Sequence, residues 1–126
     1  MNVLETIEKF KLFLNRQING LAMTNPLIGF SKPLIVRVIN NNIHKANGFL
    51  SMLADENGEI DVQSLIPEMI QSVMTTRPFV YHTEFLGDLE IGGGFIKMNI
   101  PLTNNQIVLG KTDLDTLKEL FTENRV

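Results

Sequence analysis

The chain has no cysteine and no tryptophan, and tyrosine occurs once. The missing cysteine excludes disulfides, thiolate metal sites and cysteine nucleophiles together. It suits a reducing compartment, and a cytoplasmic location is the expectation. A long apolar run is also absent: no stretch approaches the ~20 residues that a membrane-crossing helix needs. At the start, Glu5, Glu8, Lys9 and Lys11 interrupt the apolar segment that a signal peptide requires. Basic charge is not in excess. The net charge is −3, the eleven bases are scattered, and Asp113, Asp115, Glu119 and Glu123 make the C-terminal stretch acidic. Nucleic-acid binders carry a clustered basic footprint, so that class is disfavoured. A basic face from Lys9, Lys11, Arg16, Arg37 and Lys45 would be its only source, if the first two helices lie side by side.

What is present is the composition of a folded chain. Apolar residues make up 44% of 126 residues, which excludes a disordered chain and predicts one domain over residues 1–126. A chain of this length buries roughly 65% of its unfolded surface, enough for a core without staples.

Periodicity predicts the elements. Val3, Ile7, Phe10, Leu14, Ile18 and Leu21 recur every three or four residues, the spacing of one helix stripe. Asn2 is placed to cap it, and Thr24-Asn25-Pro26 to stop it. Residues 21–31 then read as a connector, punctuated by Pro26 and Gly29 yet apolar enough to pack down, with Phe30 stapling the next helix. The second helix is predicted from Ser31, with Pro33 in its first turn, to just before Asn57-Gly58. Its stripe is Leu34, Ile35, Val38, Ile39, Ile43, Ala46, Phe49, Leu50 and Leu53. At ~22 residues and ~33 Å it would span a domain of roughly 36 Å diameter. A stripe that long is hard to cover within so small a body, so Ile35, Ile39, Asn42 and Phe49 become interface candidates. Asn42, at the stripe's edge, is of the kind that sets register at helix interfaces. A third helix over about 62–75 carries Val62, Leu65, Ile66, Met69, Ile70 and Val73, with Asp61 as cap; Pro67 either kinks it or delays its start.

The pattern then becomes strand-like. From Phe79 to Leu86, Phe79, Tyr81, Thr83 and Phe85 alternate with Val80, His82, Glu84 and Leu86. Gly87-Asp88 reads as a two-residue hairpin turn and Gly92-Gly93-Gly94 as a second turn. Phe95 to Ile100 and Gln106 to Leu109 are further strands. A final helix is predicted with Thr112 as cap, Asp115 closing a capping box, and Leu114, Leu117, Leu120 and Phe121 as its stripe. The expected class is α+β: three N-terminal helices, a small antiparallel β-meander and a C-terminal helix.

Chemistry-bearing patterns are sparse. Asp55 to Asp61 resembles part of a calcium loop, but Leu53 and Ser64 stand where the first ligand and the bidentate glutamate belong. The three glycines lead into a strand, whereas a phosphate loop leads into a helix N-terminus. His82 and Glu84, two apart on a strand, form the one acid–base pair, with Tyr81 beside them. No catalytic or cofactor signature accompanies it. The expectation is a non-enzymatic interaction or assembly protein that self-associates, binding no cofactor. The alternative is a small-ligand domain or minor enzyme whose polar groups are Tyr81, His82 and Glu84.

Overall fold

The computed structural model describes residues 1–84 and 86–122. Helix α1 covers Val3–Thr24, and the Glu5 N–H donates to Asn2 Oδ1 over 2.8 Å, as a capping asparagine requires. The following connector is not a loop. Helix α2 covers Pro26–Ile43, starting five residues before Ser31. Asn25 alone turns the chain: its N–H closes α1 on Leu21 O, and its Oδ1 accepts from Leu27 and Ile28 to open α2. Pro26 takes the first helical position, where no N–H is needed. Pro33 therefore lies inside α2, where it forfeits one backbone bond. The reversal is tight: a Cβ on Gly29 would lie 3.1 Å from Ala22 O.

The long second helix is divided. A 3-10 turn, His44–Ala46, separates α2 from α3, Asn47–Leu53. Ile35, Ile39, Ile43, Ala46 and Leu50 keep a single buried stripe through the break. Helix α4, Val62–Thr75, starts at Val62 and continues past Pro67, so the proline does not delay its start, and among the described residues the Asp61 side chain makes no cap bond there.

The strands are β1 (Phe79–Thr83), β2 (Gly87–Gly92), β3 (Phe95–Asn99) and β4 (Gln106–Leu109). They form one antiparallel meander in the order β1-β2-β3-β4. Gly87 and Asp88 are not the hairpin turn: they sit in β2, opposite Thr83 and His82. The turn comes earlier, where Thr83 Oγ1 donates to Gly87 O and accepts from the Leu86 N–H. Strand β1 thus ends at Thr83, Glu84 is a turn residue, and Phe85 lies outside the described residues. The Gly93-Gly94 turn agrees with expectation, both residues having positive φ, 61° and 90°.

Helix α5, Lys111–Thr122, starts two residues sooner than predicted. Gly110 occupies the cap: its C=O accepts from Leu114, and its N–H donates to Asp113 Oδ2 over 3.1 Å. Asp113, not Asp115, closes the box, and Thr112 is helical; Glu123 lies outside the described residues. Helices α4 and α5 lie on the sheet face formed by Leu89, Ile91, Ile96, Met98, Ile107 and Leu109. The buried apolar side chains of helices and sheet form one continuous cluster. The architecture is α+β, with helices before and after a four-stranded meander.

Candidate functional site

Alternation places Tyr81 and His82 on opposite faces of β1, an edge strand exposed from Phe79 to His82. His82 Nδ1 lies 2.6 Å from Asp88 Oδ1, directly across the hairpin, with both side chains in water at 80% and 60% exposure. Its partner is Asp88, not Glu84. Glu84, beyond the end of the strand, lines a shallow hollow with Val38, Asn42, Lys45, Met98 and Pro101. The three polar candidates therefore do not converge on one reacting point. An open surface ion pair of this kind contributes little and holds nothing in place.

The four interface candidates also separate. Ile35 and Ile39 are 0% and 1% exposed, covered by their own chain. Asn42 is half-buried beside the hollow, and Phe49 is exposed on α3. The buried polar positions on this side are different asparagines. Lys11 Nζ on α1 lies 3.3 Å from His44 Nε2, just past the end of α2. One turn further along each helix, Asn15 and Asn40 hold buried amide oxygens with no hydrogen-bond partner among the described residues.

What α2 leaves uncovered is a second apolar stripe. Leu27, Phe30 and Leu34, at steps of three and four, are 59%, 87% and 53% exposed, and Met23 at the tip of the hairpin is 87% exposed. With side-chain areas of about 150–250 Å² for the largest of these residues, the uncovered apolar surface is roughly 500 Å². That matches the largest apolar patch of a typical monomer, about 300–600 Å², a patch that is often functional. The helical spacing of these residues was available in the sequence, but Pro26 and Gly29 gave residues 21–31 the look of a connector, so that of the four only Leu34 was placed on a helix.

A second feature lies at the other end of the hairpin. An apolar groove of about 310 Å³ opens between α1, α3 and α4, walled by Ile7, Phe10, Phe49, Leu53, Leu65 and Met69. Its one polar lining side chain, Thr6, is spent on Asn2 O at 2.8 Å. Among the described residues, its lining is otherwise apolar and suits apolar groups. Leu53, Ile60 and Val62 form a shared wall with a polar hollow that carries Glu5, Asp55, Glu59 and Asp61.

Among the described residues, no group of three or more histidine, aspartate and glutamate side chains could hold a metal ion. No helix there is long and apolar enough to cross a membrane. Compared with family models, with curated proteins and with solved structures, the chain finds no match.

Proposed function

We propose that this protein is a non-enzymatic interaction or assembly protein that associates with itself through the tip of the α1–α2 hairpin. The carrying observation is the uncovered stripe Met23, Leu27, Phe30 and Leu34. An apolar surface of that extent on the outside of a helix gains most by being covered, because burial returns ~25 cal/mol for each Å² removed from water. The opposite stripe of α2 is already used by the chain's own core, so the reading rests on the outer face. Scattered polar candidates on the sheet and an apolar groove agree with a role in binding.

The test is the mass in solution by static light scattering over a concentration series. The expected result is a mass that rises above the 14.2 kDa of one chain. A mass that stays at one chain at the highest concentrations defeats the proposal.

A further inference from the structure

The tip and the groove suit each other, and we infer that the tip of one copy docks in the groove of a second copy. This rests on the self-association proposed above and adds the identity of the receiving surface. Three observations carry it.

The first is size. A dry apolar cavity of about 150 Å³ holds one benzene ring. The groove, at about 310 Å³, has room for the Phe30 ring and one aliphatic side chain of the same stripe, Leu27 or Leu34. The second is charge. Residues 16–37, the half of the hairpin nearest the tip, carry Arg16, Lys32 and Arg37 and no acidic side chain, and Arg37 lies one turn beyond Leu34. The hollow that continues the groove carries Glu5, Asp55, Glu59 and Asp61; the Met1 ammonium pairs with Glu59 at 2.6 Å and leaves the other three carboxylates in excess. Lys11, next along α1 from Phe10 of the groove, is paired with Glu8 at 3.3 Å. A basic, apolar tip and an acidic, apolar groove attract one another, whereas two tips repel. The third is reach. Ile7 in the groove and Met23 at the tip lie on one helix, sixteen residues apart, so ~24 Å separates them. The tip of a chain cannot reach its own groove, so tip-to-groove docking joins two copies.

Such a contact joins unlike surfaces. It repeats head to tail and grows into a ring or a chain of copies, where a tip-to-tip contact would stop at two. Raising the salt concentration weakens it by screening the charge match.

The decisive experiment mixes two variants, each blocked on one side, with mass read by light scattering. Phe30→Glu removes the tip and leaves the groove; Phe49→Glu charges the groove and leaves the tip. Circular dichroism checks that both fold, and if Phe49→Glu does not, Glu5→Lys with Asp61→Lys serves as the groove block, since both side chains are exposed. Each variant alone is expected to stay at one chain. The equimolar mixture is expected to form a species of two chains and no more, because only one productive contact remains. If the groove-blocked variant associates alone like the unaltered protein, or if the mixture stays monomeric while the unaltered protein associates, tip-to-groove docking is overturned and self-association stands. If the unaltered protein is itself monomeric, both fall.

Discussion

Replacing Phe30 by alanine separates association from folding. The side chain is 87% exposed in the isolated chain, so folding owes it almost nothing. On an exposed helix site alanine is the better helix former, by about 0.5 kcal/mol. In an associated state the ring leaves water. With roughly 150–250 Å² of side-chain surface at ~25 cal/mol per Å², moving the exposed part is worth roughly 3–5 kcal/mol. Alanine keeps its Cβ, and ordering the ring at a contact costs about 0.5–1.5 kcal/mol. A net loss of about 2–3 kcal/mol remains, which weakens each contact roughly 30- to 150-fold. The assay has two arms: sedimentation equilibrium for the association constant, and thermal unfolding of dilute protein for the fold. Weak association with an unchanged or slightly higher melting temperature is expected. A lower melting temperature with unchanged association would refute the reasoning, since Phe30 would then belong to the chain's own core.

Three further predictions bear on the fold and on the polar candidates. Gly92→Ala is expected to destabilise the sheet by at least ~2 kcal/mol, because φ is +122° and a Cβ would lie 2.7 Å from the Arg77 carbonyl oxygen; urea unfolding measures it, and a neutral result would contradict that backbone approach. Asn40→Leu removes a buried amide oxygen without a partner among the described residues, so stability is expected to rise by about 1 kcal/mol and the melting temperature by about 4 °C; a fall would mean that the amide is engaged across α1 and α2. His82→Ala breaks an exposed pair with Asp88 and is expected to leave both melting temperature and solution mass unchanged; a large change in either would give the sheet face a role that the geometry does not support.

Much of the fold was legible because its helices and strands have clear periods. The stripes of α1 and α5, the glycine turn and the inward set of β3 and β4 follow from spacing alone. The boundaries were less legible where one residue serves two purposes. Pro26 and Gly29 look like connector residues and Pro33 like a first-turn residue, yet Asn25 caps so effectively that α2 begins at once and carries Pro33 within it. The break at His44–Ala46 was invisible because a 3-10 turn shifts the apolar spacing by a fraction of a residue and keeps Ile43, Ala46 and Leu50 aligned. Thr83, as an ordinary strand residue in the pattern, gave no sign that its hydroxyl would close the hairpin. For the site, alternation separated Tyr81 from His82, but only the strand order reveals that β1 is an edge and that His82 meets Asp88. The sequence pointed to α2 as a helix with more apolar surface than its domain needed. It could not tell which of the two stripes the core would take, since that depends on how α1 and the sheet are placed.

The most direct test of the central claim is a residue-resolved comparison of dilute and concentrated protein by amide correlation spectra. If the hairpin tip is the contact, the signals of Met23, Leu27, Phe30 and Leu34 shift and broaden with concentration while those of the exposed β1 strand hold still. Concentration-dependent shifts confined to β1, with the tip unmoved, would contradict it.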